Sequence, residues 1–349
     1  MRMRLSAIVL FAVAVVACTV GSDPTIRVPQ WSVVQVRPGC SLRGLSAVAS
    51  QVLWASGTGG TVLRSMDAGK SWSSVGPAGA QDLDFRSIAA TDARHALVAT
   101  AGTPARVYRT DDGGTSWTIV FEDPRPGAFF DAIAFAAPAE GSHYGGTRAY
   151  LVGDPIDGVF QLFVSDDGGQ NWQPRVTLPT AVAGEAMFAA SCACLRAIGD
   201  EVALVTGGVM SRALRSHDGG STWSLAELPL QHGTESQGAF AVDFRRALEL
   251  VVVGGDYQEP LRRDGTAAWT DDDGRVWRVG IGLDGYRSSV AVHGDGATCV
   301  AVGPLGASIT SDGGATWRPF GNNGFHTVTI VGDTVVAVGQ GGRIGTTRL

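Results

Sequence analysis

Short apolar runs alternate along this chain with polar, glycine-rich turns, and the alternation keeps a regular beat. TVLRS (61–65), RVYRT (106–110), QLFVS (161–165), RALRS (212–216), AAWT (267–270) and ASIT (307–310) each have strand length and strand character. Each runs straight into the same turn, Ser/Thr-x-Asp-x-Gly-x-x-Trp. Its copies are SMDAGKSW (65–72), TDDGGTSW (110–117), SDDGGQNW (165–172), SHDGGSTW (216–223), TDDDGRVW (270–277) and TSDGGATW (310–317). Successive turn aspartates lie 40 to 55 residues apart, the length of a propeller blade of four short strands.

The turn has a physical logic. Gly69, Gly114, Gly169, Gly220, Gly274 and Gly314 supply positive φ at little steric cost. The carboxylates of Asp67, Asp112, Asp167, Asp218, Asp272 and Asp312 accept hydrogen bonds from turn amides, and the Ser or Thr hydroxyl serves the same loop. The Trp then packs a large area against the neighbouring blade. Six acidic turns invite a calcium reading, but no bidentate Glu stands at the EF-hand position, so a structural role is expected and no metal.

Between turns, two further apolar segments recur in every unit, among them FRSI (85–88) with ALVAT (96–100), FAAS (188–191) with VALVTGG (202–208), and HTVTIV (326–331) with VVAVG (335–339). LSAV (45–48) and VLWAS (52–56) precede the first turn. That makes seven inner pairs for six turns, and the last unit ends in RIGTTRL (343–349) with no turn and no Trp. Trp31-Ser32-Val33-Val34-Gln35-Val36 supplies the missing outer strand, with Trp31 in the turn-Trp position. The expected fold is an all-β, seven-bladed β-propeller over 29–349, with six Asp-box hairpins and a ring closed by the N-terminal strand, which removes free sheet edges.

These turns resemble the Asp-box, or bacterial-neuraminidase-repeat, propellers. Sialidases share the box but have six blades and an Arg in a Phe-Arg-Ile-Pro context that is absent here. Seven blades behind a signal peptide look more like the photosystem II stability and assembly factor family and its bacterial relatives labelled oxidoreductases. GDP (153–155), GEAMFAAS (184–191), GGDY (254–257), YRSSV (286–290) and GFHTV (324–328) are similar to motifs of that wider group. The resemblance implies a non-catalytic assembly or stability factor. No redox motif accompanies it: no GxGxxG in a βαβ unit, no haem CxxCH. No cofactor is therefore expected.

The start of the chain reads as an address. Arg2 and Arg4 precede a mostly apolar run, Leu5–Ala17, too short to span a bilayer. Val15-Val16-Ala17-Cys18 resembles a bacterial lipobox, so 1–18 is read as a lipoprotein signal with Cys18 lipidated and 19–28 as a tether. Ordinary signal cleavage with Cys18 incidental is the alternative. Either way the mature chain is expected outside the cytoplasm, in the periplasm or on the cell surface. Cys40, Cys192, Cys194 and Cys299 then permit a disulfide, though free buried thiols fit as well.

Composition narrows the function classes. A net charge of −6 with only 17% charged residues argues against nucleic acid as a partner. It draws attention to the charges that topology gathers at the ring's central funnel. The residues where inner strands begin are Arg43, Arg86, Asp131, Glu185, Arg287 and His326, and loops after the second strands bring Asp154, Asp256 and Tyr257 to the same face. Solvated ion pairs are the plain reading. A binding reading has Arg forks holding a carboxylate of a peptide terminus or acidic loop of a membrane or secreted protein. A sialidase-like glycoside hydrolase reading uses Arg43, Arg86 and Arg287 with Tyr257 or Tyr286, Glu185 and Asp131. A monomer is expected.

Overall fold

The computed structural model describes residues 30–48, 50–139 and 147–349, so Cys18 and the 19–28 tether lie outside the described residues. Seven sheets stand around one axis. Blade 1 is Leu42–Ala47, Leu53–Gly57, Thr61–Ser65 and Ser73–Ser74; blade 2 is Ser87–Ala90, Ala96–Ala99, Ala105–Thr110 and Thr118–Asp123. Blade 3 is Phe130–Phe135, Ala149–Ile156, Val159–Ser165 and Gln173–Pro174; blade 4 is Leu195–Ile198, Glu201–Val205, Arg212–Ser216 and Ser224–Glu227. Blade 5 is Gln237–Arg246, Glu249–Asp256, Ala267–Thr270 and Arg278–Val279, and blade 6 is Ser289–Val292, Cys299–Gly303, Gly306–Thr310 and Arg318–Gly321. Blade 7 takes three strands from the C-terminus, Thr327–Val331, Thr334–Gly339 and Arg343–Arg348, and its outer strand Ser32–Gln35 from the N-terminal side.

The closing pair is antiparallel, from Ser32 opposite Thr346 to Gln35 opposite Arg343. Trp31 seals it. Its ring packs against Phe320 and Phe325, and its Nε1 donates to the Phe320 carbonyl on the outer strand of blade 6. The anchor therefore ties blade 7 to blade 6.

Second strands are buried on both faces because each sheet is sandwiched between two others. Leu53, Trp54, Ala55, Val251, Val252 and Val253 are all essentially inaccessible. Outer strands such as Ser73–Ser74 are short and exposed. The Asp turns carry the predicted hydrogen bonds. Asp67 accepts from the Ser65 hydroxyl, the Ser71 amide and the Ser71 hydroxyl, while the Gly69 amide donates to Ser65 Oγ. Asp112, Asp167, Asp218 and Asp312 repeat the set, with Asn171 in place of a hydroxyl in the third turn. These bonds hold the carboxyls of Asp67, Asp112 and Asp218 down to about 2. Asp272 keeps only the amide at that place, because Val276 stands where the others have a side-chain donor. Two successive residues take positive φ in each turn, and at Ala68 (63°) and Asp273 (65°) the first of them is not glycine.

One segment departs from the expected pattern. FAAS (188–191) is not the inner strand of blade 4; that strand is Leu195–Ile198. Residues 189–193 instead cross the axis of the ring. Arg43 Nη1 of blade 1 donates to the Ala190 carbonyl at 3.3 Å, and Cys192 Sγ lies 2.9 Å from Ser87 Oγ of blade 2 and donates to the Ile133 carbonyl of blade 3. The Val242 amide of blade 5 donates to the Ala193 carbonyl. Ser191 Oγ donates to the Ser288 carbonyl beside blade 6, and Thr327 Oγ1 of blade 7 to the Ser191 carbonyl. Only small side chains fit such a crossing, which explains Ala189-Ala190-Ser191-Cys192-Ala193 in strand-free form. Phe188 anchors its entrance by stacking on Phe240, centroids 3.8 Å apart. All four described cysteines are free and buried.

Candidate functional site

The inner strands all start at one mouth of the channel, and β-bulges interrupt three of them near that end, one at Phe240 of blade 5. Pairing skips Arg43 between Leu42 and Gly44, and Asp131 between Phe130 and Ala132. A bulge turns one extra side chain out of the ladder. Arg86 and His326 sit one residue ahead of their strands, Ser87–Ala90 and Thr327–Val331. These residues meet above the axial crossing. Burial and the neighbouring Arg86 charge lower Arg43 from its usual value. His326 is pushed down to about 4 by burial and by the Arg43 charge, so it is neutral at neutral pH, with Nε2 buried and unpartnered.

The carboxyls nearby differ in their surroundings. Asp84, which the sequence reading did not single out, takes Arg86 Nε at 2.7 Å. Asp131 is wholly inaccessible, and neither of its oxygens has a hydrogen-bond partner. Burial and then Asp154 raise it well above the usual carboxylate range, opposed by Arg86 and by the Ala189 amide, which falls short of a full hydrogen bond. Asp154 is itself raised by burial, although the Met187 amide donates to its Oδ1 at 3.1 Å. Arg86 thus has Asp84 as its ion-pair partner, while Asp131 and Asp154 beside it are raised above the usual carboxylate range by burial.

Three predicted residues are spent inside the protein. Glu185 is clamped by Arg212 through both carboxylate oxygens, at 2.7 and 2.5 Å, and also accepts from Thr206 Oγ1 and the Val182 amide. It lies on the short strand Glu185–Ala186, paired with Gly207–Gly208. Arg287 points into blade 6, where it donates to the Asp284 and Tyr286 carbonyls and to Ser308 Oγ, and burial lowers it to about 10. Asp256 is buried and caps its own loop, accepting from the Gln258 and Glu259 amides and from Gln237 Nε2. Tyr257 remains 46% exposed, with its ring edge against Phe240, and Tyr286 is buried against the same Phe240. The sialidase-like constellation is therefore not assembled: Glu185 is saturated by Arg212 and is not a free base for a tyrosine.

A family model described as a DUF6242 beta propeller domain matches residues 29–282. The chain belongs to this DUF6242 propeller family. Among curated proteins none matches it. Among solved structures, the DUF6242 chain is similar to YCF48 bound to D1 peptide, at 17% identity and TM-score 0.63, covering 91% of this chain and 97% of that one. It is also similar to YCF48 from Cyanidioschyzon merolae, at 17% identity and TM-score 0.61, covering 91% and 98%. A third likeness is to the Niastella koreensis GH74 enzyme, at 12% identity and TM-score 0.63, where the match covers 90% of this chain but 53% of that one. At these identities the likeness is one of fold, and function must be argued from the site.

Proposed function

We propose that this chain is a non-catalytic binding propeller, an assembly or stability factor that holds a carboxylate of a membrane or secreted protein at the mouth formed by Arg43 and Arg86. The carrying observation is the set of groups gathered there: two guanidiniums, one ion-pair partner in Asp84, and Asp131 and Asp154 raised above the usual carboxylate range by burial. Such a mouth favours an anion, and Arg forks suit a peptide terminus or an acidic loop. The YCF48 structure with bound D1 peptide offers a precedent for peptide binding on a propeller of this fold. The proposal places the protein outside the cytoplasm, tethered through lipid on Cys18. No helix among the described residues is long and apolar enough to cross a membrane.

The test compares wild type with Arg86→Glu. Arg86 is about a third exposed, so the variant is expected to fold with an unchanged melting curve. It should lose the partner recovered by cross-linking in intact membranes, and with it binding to peptides bearing a free C-terminal carboxylate over their amidated forms. Unchanged partner recovery would sink the proposal.

A further inference from the structure

Outer strands protect the edge of each blade, and they do so unequally. In blades 2, 4, 6 and 7 the outer strand reaches the first or second residue of the third strand, with Ala105 opposite Asp123, Arg212 opposite Glu227, Ala307 opposite Gly321 and Arg343 opposite Gln35. In blades 1 and 5 the outer strand is short, but the Val75 amide still donates to the Val62 carbonyl and the Gly280 amide to the Ala267 carbonyl, again at the start of the third strand. Blade 3 differs. Its third strand, Val159–Ser165, is paired outward only at Phe163 and Val164, and one further bond, from the Arg175 amide to the Leu162 carbonyl at 2.8 Å, ends the ladder. Among the described residues no outer-strand residue stands opposite Val159, Phe160 or Gln161. The cause is local: after Pro174 the chain turns away to blade 4, where Thr177 Oγ1 donates to the Gly220 carbonyl at 2.6 Å and Leu178 is buried.

A groove of about 640 Å³ lies where that outer strand would continue, between the open edge and the end of blade 2's outer strand. Phe121, Ile156, Val159, Pro174 and Val176 line it, and each is at least partly exposed, Val176 to 86%. The charges at the blade 2 end are satisfied in place. Glu122 takes Arg106 at 2.6 Å, and Arg125 is held by Asp123 and by Gln161 Oε1, both at 2.5 Å. Arg175 and Asp157, exposed and of opposite sign, complete the lining and leave no net charge to attract an ion. What the groove offers is apolar surface beside an unpaired strand edge. An extended polypeptide matches both at once, with backbone groups at strand spacing for the edge and every second side chain for the groove.

We propose that blade 3 is completed by strand addition: an extended internal segment of a partner polypeptide, apolar at alternate positions, pairs with Val159–Gln161 and lays its side chains against Phe121, Ile156 and Val176. This mode needs neither a chain terminus nor a charge, so it stands or falls separately from carboxylate binding at Arg43 and Arg86.

The test selects short random peptides displayed on phage against the full chain, with each peptide fused at its C-terminal end so that no free carboxylate is offered. The enriched sequences are expected to alternate apolar and polar residues, and a synthetic member blocked at both ends to bind once per chain. N-methylation of one alternate set of its amides should weaken binding at least about tenfold, the scale of one or two lost backbone hydrogen bonds, while methylation of the other set, which points away from blade 3, changes little. Val176→Asp alters a side chain that water already surrounds, so the fold should be unaffected and the peptide at least about tenfold weaker. Arg86→Glu should leave its affinity unchanged. The proposal is overturned if no peptide is enriched, if both methylated forms bind alike, if Val176→Asp retains full affinity, or if Arg86→Glu removes the binding instead.

Discussion

The two mouths of the ring are built from the same inner strands and could hardly differ more. Where the strands begin, Arg43, Arg86, Asp131 and His326 crowd together. A few residues later the same strands present Leu45, Ile88, Ile133 and Ile330 to the other mouth. What keeps the two apart is one stretch of backbone, Ala189–Ala193, hydrogen-bonded across the axis to six blades. A propeller channel is often pictured as a water-filled tube. Here the backbone of Ala189–Ala193 stands between a mouth that gathers Arg43, Arg86, Asp131 and His326 and a cup lined by both polar and apolar groups.

The largest effect is expected from breaking that partition. Gly207 passes so close to the entrance of the crossing that a Cβ there would meet Phe188 Cε2 at 2.2 Å and the Gln237 carbonyl at 2.7 Å. Gly207→Ala must push Phe188 off its stack on Phe240 or shift backbone, and should cost about 3 kcal/mol, the upper range for overpacking a filled core. The check is the urea midpoint, with Phe188→Leu added to the same background. The second change relieves the side-chain clash, so part of the loss should return. A Gly207→Ala protein as stable as wild type would mean that the crossing is loosely held and the two mouths are not independent.

A smaller effect of opposite sign sharpens the charged mouth. Asp131 is raised above the usual carboxylate range in the folded protein by burial and by Asp154. Its folded value therefore exceeds its unfolded one, and the unfolded chain gives up its proton more readily. Stability is lost as pH rises past the ordinary aspartate range, and no penalty remains below it. Asp131→Asn is expected to gain about 1 kcal/mol at pH 7, the scale of one unsatisfied buried polar group, and nothing near pH 3. Chemical denaturation at the two pH values measures it. A side chain whose removal stabilises the fold is kept for another reason, which is what a binding mouth requires. Equal stability changes at both pH values would show that Asp131 is an ordinary buried carboxyl.

Much of this was legible in the sequence, and the failures share one cause. The Ser/Thr-x-Asp-x-Gly-x-x-Trp turns are local, so their hydrogen bonds could be read from spacing alone, and the outer strand around Trp31 followed from counting. Arg43, Arg86, Asp131 and His326 reach one mouth because topology puts the starts of inner strands there. Glu185, Arg287 and Asp256 were placed with them by the same logic, yet their side chains turn to Arg212, Ser308 and Gln237. Those partners lie 27, 21 and 19 residues away, and no periodicity encodes them. FAAS (188–191) was misread because a small apolar run looks the same whether it lies in a strand or threads an axis. The one available hint was size: Ala189, Ala190, Ser191, Cys192 and Ala193 are smaller than the Val, Ile and Leu that fill the other inner strands. Asp84 escaped notice because it belongs to a loop rather than to a strand start.

The smallest expected effect tests the cup against the core within a single strand. Leu195–Ile198 alternates buried and part-exposed positions, with Leu195 fully buried among blades and Ile198 on the cup wall. Ile198→Ser removes apolar surface that water already reaches, so it should cost no more than about 1 kcal/mol, a fraction of a fully buried side chain. Leu195→Ala, three residues earlier on the other face, should cost about 3 kcal/mol, because it opens a cavity between packed sheets. Thermal melts of the two variants give the comparison directly. If Ile198→Ser matches Leu195→Ala, the cup wall is core that the ring needs for its own packing. If it is nearly silent, Ile198 is not maintained for stability, and the cup wall and the core are separable within this one strand.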